Sequence, residues 1–198
     1  LRVQAPPLLS RATGQTVVTL PGGLDLSRGS VVSLVSVVTA TVMMSAGLEA
    51  AALAGLGAGM LVGLVNGLLV GRAGIQPFIV TLGMLYMIAG AAMVVSDGSA
   101  IFGLPAPDVD RFFFIGGGRV GPVPVPLVIA AALVAAAWYL LARRPIGRHI
   151  YAIGSNARVA HVAGINVGRV RMIVFVLSAS FAAIGGFMLS GRVISGQP

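Results

Sequence analysis

Long apolar runs without charged residues dominate the pattern along this chain. A helix needs about 20 apolar residues to cross about 30 Å of hydrocarbon. Five runs reach that length, at residues 29–48, 50–71, 73–96, 120–142 and 172–191. Because backbone groups in lipid must form hydrogen bonds within their own segment, we expect each run to be a membrane-spanning helix. The predicted fold class is therefore all-α, a polytopic transmembrane helix bundle.

A sixth apolar stretch, residues 12–24, is too short to span a membrane by itself. It ends in Pro21-Gly22-Gly23, a sequence that terminates a helix. Two interpretations are open, a re-entrant segment or a partial span at the N-terminal end. Residues 1–11 remain unassigned.

The distribution of arginine predicts the orientation of the spans. With Arg28 on the cytoplasmic side, the inner segments, including the loop 143–171, hold eight arginines. The outer segments, including the loop 97–119, then hold three arginines and four of the five acidic residues. Since cytoplasmic loops of membrane proteins are enriched in positive charge, this orientation is favoured over its reverse.

Composition restricts the chemistry further. Only 9% of the residues are charged, against about a quarter in a soluble domain. The chain has no cysteine, and all 13 of its positive residues are arginine, so a Walker A loop with its lysine is excluded. The net charge is +8, but the arginines alternate with apolar runs, so nucleic acid is not an expected partner. The pattern predicts no catalytic, cofactor-binding or metal-binding residues.

The five predicted spans contain no Asp, Glu, Arg or His. Proton- and ion-coupled carriers usually place such groups inside the membrane, whereas the polar groups here are hydroxyls and amides. Asn66 and Thr81 are candidates for lining a pathway for a neutral, hydroxyl-rich solute. A second interpretation of Asn66 is that its amide joins neighbouring helices.

Glycines recur at every fourth position of the second predicted span, at Gly55, Gly59, Gly63, Gly67 and Gly71. Residues at this spacing share one ridge of a helix, and small residues there allow another helix to approach closely. The ridge predicts close packing within the protein's own bundle. The alternatives are a helix beside a translocation path or a contact between subunits.

The inner loop 143–171 shows the signals of a separate short helix. Pro145 ends the preceding helix, and Ser155 or Asn156 is a suitable N-cap for a helix over 157–163. Gly164 suits the left-handed position that follows a helix, and Asn166 suits the cap of the next one. A capped, basic helix is typical of a docking element, and contact with anionic lipid is the alternative.

The outer loop 97–119 combines an aromatic triplet with a run of glycines. Phe112-Phe113-Phe114 predicts either an anchor at the lipid interface or a contact with an external solute-binding protein. The three glycines at 116–118 predict a flexible segment.

Several segments resemble those of a known family. The segment 22–30 resembles a signature of ribose-type ABC transporter permeases, which belong to the branched-chain amino acid and sugar permease family. The marker residues of this signature in the present chain are Gly22, Gly23, Asp25, Ser27, Gly29 and Ser30. Segments 76–83, 97–99, 147–156, 164–167 and 195–198 are similar to further motifs of these permeases, in the same order. The matched region, 12–198, looks like part of a permease, because family members have additional spans on both sides.

The resemblance implies a permease subunit in the bacterial inner membrane that imports a sugar, such as a ribose-like monosaccharide. It implies a second permease copy, identical or different, a periplasmic solute-binding protein, and a cytoplasmic ABC ATPase that binds ATP in place of this chain. The inner loop then corresponds to the segment that couples to the ATPase, at Arg148, Gly154, Ser155, Asn156, Arg158, Gly164, Ile165 and Asn166. A permease for branched-chain amino acids or nucleosides, and a membrane scaffold without transport activity, are the alternatives.

Overall fold

The computed structural model describes residues 5–198 and confirms an all-α helix bundle. Seven helices and one short hairpin make up this part of the chain. In order they are α1 (Ala5–Thr19), α2 (Arg28–Gly71), α3 (Pro77–Val95), α4 (Ala106–Gly117), β1 (Arg119–Val120), β2 (Val123–Pro124), α5 (Val125–Arg143), α6 (Pro145–Val162) and α7 (Val167–Val193). By length and composition, α2, α3, α5 and α7 are able to cross a membrane.

Helix α2 folds into a tight hairpin and supplies two of the predicted spans. Gly47 leaves the helical conformation, with φ 79° and ψ 177°. Residues at equal sequence distance before and after Gly47 lie next to each other. A Cβ on Gly59 would lie 3.1 Å from Val35 Cγ2, and Gly55 faces Thr39. The two halves therefore run antiparallel, as the runs 29–48 and 50–71 predict. A positive φ strains residues with a Cβ, which explains glycine at this turn.

Helix α7 forms the centre of the bundle. Val174, Phe175 and Met188 on it are almost fully buried, and α1, α2 and α4 all pack against it. Helices α3 and α5 lie at the periphery and keep large apolar side chains exposed, such as Met87 on α3 and Val134 on α5. In a membrane protein these surfaces suit lipid.

Helix α1 begins earlier than the apolar stretch 12–24 indicates, and it ends at Thr19 before the turn at Gly22, where φ is 80°. It runs antiparallel to α7, because Pro7 and Ser10 lie beside Gly185 while Gly14 lies beside Ser178. The described part of α1 is one continuous helix, and whether it is a re-entrant segment or part of a span stays a prediction. The unassigned residues 1–4 lie outside the described part of the chain.

Several predicted boundaries differ from the observed ones. The predicted span 120–142 is helical only from Val125, because its first residues form the hairpin around Gly121, where φ is 60°. The predicted span 172–191 begins earlier, at Val167, and includes Arg169 and Arg171 in its first turns. A helix can extend beyond the bilayer, so charge marks the membrane boundary and not the end of the helix.

Both connecting loops contain more regular structure than the sequence indicates. The inner loop holds α6, which already begins at Pro145, since proline is well tolerated in a first turn. The outer loop holds α4. The expected flexibility at 116–118 is wrong for Gly116, which is buried and lies against the backbone of Met188 and Gly191.

Candidate functional site

The signature segment 22–30 folds into a buried polar junction, called here the signature junction. Asp25 is its centre and is only 6% exposed. Its Oδ1 accepts hydrogen bonds from the backbone N–H of Ser27 (3.1 Å) and from the Ser27 hydroxyl (2.7 Å). Its Oδ2 accepts a hydrogen bond from the Ser178 hydroxyl on α7 at 2.9 Å. One carboxylate thus ties the start of α2 to the central helix.

Arg28 provides the positive charge of this junction. Its Nε lies 3.5 Å from Asp25 Oδ2, and the residue is 6% exposed. Its two terminal nitrogens donate to the backbone carbonyl of Arg11 and to the side-chain oxygen of Gln15, both on α1. The sequence pattern predicts that Arg28 is a charge in a cytoplasmic loop. This prediction is wrong about the surroundings of the side chain, because the protein buries it. The spacing of three residues between Asp25 and Arg28 is the signal that indicates such a pair.

Both candidate pathway residues contact the signature junction. Asn66 is 1% exposed, and its Nδ2 donates to the Ser27 hydroxyl at 3.0 Å. Its Oδ1 is buried without a hydrogen-bond partner among residues 5–198. Thr81 donates to the carbonyl of Leu24 at 3.2 Å and to that of Pro77 at 2.9 Å. These contacts join helices; a role of either residue in lining a pathway stays a prediction.

The other marker residues complete the turn. Ser30 donates to the carbonyl of Leu85 on α3 at 2.7 Å. A Cβ on Gly23 would lie 2.9 Å from Val18, so α1 approaches closely there, whereas Gly29 has open space beside it. The segment therefore connects α1, α2, α3 and α7 at one point.

The glycine ridge of α2 packs on helices of the same chain. A Cβ on Gly63 would lie 2.5 Å from that of Ala179, and one on Gly67 would lie 2.9 Å from the carbonyl of Met172. Gly59 meets Ala183, and Gly71 meets Gly168, so four ridge positions contact α7, while Gly55 meets the first half of α2. The ridge therefore packs within the protein's own bundle, which is the packing that the sequence predicts.

The inner loop contains the short capped helix that the sequence predicts. Asn156 interrupts α6 with φ −161°, and its side-chain oxygen accepts hydrogen bonds from the N–H groups of Arg158 (3.0 Å) and Val159 (3.1 Å). Asn156, and not Ser155, is therefore the N-cap. Gly164 follows the helix with φ 84°, and the Asn166 side chain accepts from the N–H of Arg169 at 2.9 Å.

The short helix has a buried side and an exposed side. Ala160 is buried, and the preceding half of α6 buries Ile150 and Ile153. Gly154 lies against the backbone carbonyl of Leu20, at the end of α1. The opposite side exposes Tyr151, Arg158, Val159 and Val162, the last to 84%. Arg148 and Ser155 are also exposed, and Ile165 is half-buried.

The predicted outer loop has its own ordered surface, built on α4. Phe112 is fully buried and packs edge-on against Phe187 of α7, with ring centroids 5.1 Å apart. Phe113 and Phe114 stay exposed, so only two members of the triplet are available to lipid or a partner. Arg111 forms an exposed ion pair with Glu49 at 2.9 Å.

Open grooves adjoin these elements. One, of about 580 Å³, runs along α1 and is lined by Ala12, Gln15, Thr16, Thr19 and Leu20. The other, of about 310 Å³, lies between α2 and the end of α7, with Ser33, Ser36, Ser190 and Gln197 in its wall. Within residues 5–198, no group of three His, Asp or Glu side chains is close enough together to hold a metal ion.

Comparison with known proteins decides the family. The family model described as the permease component of branched-chain amino acid transport systems matches residues 1–198, the whole chain. The chain belongs to this permease family. With its apolar helices, this makes it a multi-pass membrane protein.

Among similar proteins are sugar permeases of this family. The ribose import permease protein of Haemophilus influenzae is 37% identical over 188 residues, which covers 94% of this chain and 58% of that protein. The ribose import permease protein of Escherichia coli K12 is 37% identical over 191 residues, covering 94% and 59%. The D-allose transport system permease protein of the same strain is 32% identical over 199 residues, covering 99% and 60%. This permease-family chain thus spans about three fifths of the length of these curated relatives. No solved structure matches it.

Proposed function

We propose that this chain forms part of the membrane-spanning subunit of a bacterial ABC importer for a sugar, in the cytoplasmic membrane. The observation that carries the proposal is its 37% identity, over 94% of its length, to ribose import permeases. Relatives named for D-allose and L-arabinose transport support a monosaccharide as the solute class. A ribose-like monosaccharide is the proposed substrate.

The energy for import comes from a separate subunit in this proposal. The chain has no lysine and therefore no Walker A loop of its own. The exposed side of α6 is the proposed docking surface for a cytoplasmic ATPase. Val159 and Val162 lie there beside Arg158, and exposed apolar groups next to a charge are typical of a protein contact.

In this proposal the outer surface contacts a solute-binding protein, and the lateral surfaces contact a second permease copy. A periplasmic solute-binding protein contacts the side of α4 that exposes Phe113 and Phe114. A second permease copy, the same or related, completes the transport unit within the bilayer. ATP binds to the ATPase subunit, and this chain binds no cofactor.

An uptake assay tests the solute. The full-length permease gene that encodes this chain is expressed together with candidate ABC ATPase and binding-protein genes from the same genome, in a host without its own ribose, allose and arabinose importers. We expect ATP-dependent uptake of at least one of the three radiolabelled sugars. Uptake of leucine or a nucleoside, without uptake of any sugar, would mean that the chain is a permease for branched-chain amino acids or nucleosides. Uptake of none of these solutes would favour a membrane scaffold without transport activity.

Two substitutions in α6 and its C-terminal turn test the coupling surface. In Gly164→Val, a β-branched residue enters a position with φ 84°, which redirects the loop. Arg158→Glu reverses the charge of the docking side. We expect both variants to insert normally, to lose transport and to co-purify with less ATPase, while they still bind the solute-binding protein.

Matched changes on the outer side serve as controls. Gly98→Val introduces the same strain at φ 69° in open space, and Arg119→Glu reverses an exposed charge there. These controls should retain ATPase binding. Normal ATPase binding and transport by Gly164→Val would mean that the inner loop serves only as a positive anchor.

A further inference from the structure

One side of α1 is polar where a membrane helix is normally apolar. Gln15, Thr16 and Thr19 lie on one helical face, since positions three and four residues apart are neighbours. They line an open surface groove of about 580 Å³, together with Ala12 and Leu20. Polar side chains at membrane depth usually face a water-filled space or a protein partner, because exposing them to hydrocarbon is costly.

The helix lies at membrane depth by its packing. It runs antiparallel to α7, the central spanning helix, with Gly14 against Ser178 and Ser10 against Gly185. Its C-terminal end reaches α6, where the Leu20 carbonyl lies against Gly154. The polar face thus runs along the surface of α1, with Thr16 and Thr19 exposed, toward the inner loop.

The hydrogen-bonding groups on this face are held in fixed directions. The Thr16 hydroxyl donates to the Ala12 carbonyl at 3.1 Å, and the Thr19 hydroxyl donates to the Gln15 carbonyl at 2.8 Å. Both hydroxyl oxygens keep lone pairs free to accept. The side-chain oxygen of Gln15 accepts from buried Arg28, which orients its amide nitrogen as a donor toward another partner.

Fixed acceptors beside a fixed donor match a sugar, in which every hydroxyl both donates and accepts. We propose that the α1 face of Gln15, Thr16 and Thr19 lines the solute pathway and forms hydrogen bonds with the hydroxyl groups of the transported monosaccharide. This inference rests on the proposed function and assigns the sugar contacts to α1. Arg28 acts as a positioning residue for Gln15.

Cysteine labelling tests whether water reaches this face, independently of any solute. These 198 residues contain no cysteine, so Thr16→Cys reports on one position once any cysteines elsewhere in the full transporter are replaced by serine. We expect it to react with a water-soluble methanethiosulfonate reagent. Met87→Cys on α3, replacing an exposed side chain on a peripheral helix, should stay unreactive. If neither variant reacts with the reagent, the proposal is overturned.

Valine substitutions test the sugar contacts. Thr16→Val and Thr19→Val keep the side-chain shape and remove the acceptor. We expect each to raise the KM for the imported sugar about three- to tenfold, the usual range for one hydrogen bond between uncharged groups. Thr13→Val is the matched control, because Thr13 makes the same type of bond, to Leu9 at 2.8 Å, and does not line the groove.

The outcomes separate this inference from the function on which it rests. Labelling of Thr16→Cys that the imported sugar slows, with a raised KM for the valine variants, supports it. Unchanged KM values in Thr16→Val and Thr19→Val overturn the sugar contacts. Disulfide formation between two copies of Thr16→Cys identifies the face as a subunit contact and also overturns them. If the unmodified protein imports no sugar, the proposed function fails, and the labelling result alone decides whether the face lines a water-filled path.

Discussion

The backbone N–H of Leu48 donates a hydrogen bond to Oδ2 of Asp108, 3.1 Å away and 60 residues later in the chain. Leu48 begins the second half of the α2 hairpin, directly after Gly47. The first N–H groups of a helix have no partner within it, and a carboxylate there also interacts favourably with the helix dipole. Helix α4, in the predicted outer loop, therefore caps the second half of the α2 hairpin.

Removing this cap should destabilise the protein. We expect Asp108→Ala to lower the free energy of unfolding by about 1–2 kcal/mol, the usual cost of losing an N-cap. Asp110→Ala, at an exposed neighbour on the same helix, should have little effect. Thermal unfolding of the purified protein in detergent measures both. Equal shifts in Tm for the two variants would show that the Asp108 bond does not stabilise the hairpin.

The glycine ridge should tolerate no large side chain at its centre. Gly63→Leu places a side chain where a Cβ alone would lie 2.5 Å from Ala179 and 2.9 Å from the Phe175 carbonyl. We expect a severe loss of folded protein, measured as the monodisperse fraction in size-exclusion chromatography. Gly57→Leu, on the same helix with open space around it, is the control and should leave the yield nearly unchanged. Similar yields of the two variants would contradict close packing on α7.

The buried pair of Asp25 and Arg28 should behave as a unit. Asp25→Asn leaves the Arg28 charge enclosed without its counter-ion, and we expect a loss of about 3 kcal/mol of stability. Arg28→Met should also destabilise the protein. The double variant should lose about 1–3 kcal/mol less than the sum of the two single losses, because the residues share one interaction. Additive losses in chemical unfolding would mean that the two charges do not interact.

The orientation of the chain can be measured from both sides of the membrane. A cysteine at Ser155, exposed in α6, should react with an impermeant maleimide only in inside-out vesicles. A cysteine at Asp110, exposed in α4, should react only in intact spheroplasts. Labelling of both from the same side would contradict the arrangement of five spans in this chain.

The sequence alone determined the membrane class, the helical character of the long apolar runs and the local signals in the loops. A charge-free run of about 20 residues has the length at which a helix crosses the hydrocarbon with its backbone hydrogen bonds internal, so these elements follow from length and composition. Local chemistry likewise fixed the turn at Gly22 and the caps at Asn156 and Gly164, since each depends on residues within one helical turn.

Only the tertiary structure decided what the buried polar residues contact. Ser178 bonds Asp25 across 153 residues, and Asp108 caps a helix that begins 60 residues earlier, distances over which a local pattern carries no information. The enclosure of Arg28 and the burial of Gly116 were missed for the same reason. Burial depends on which helices become neighbours, and the free energy of packing the whole bundle selects those neighbours.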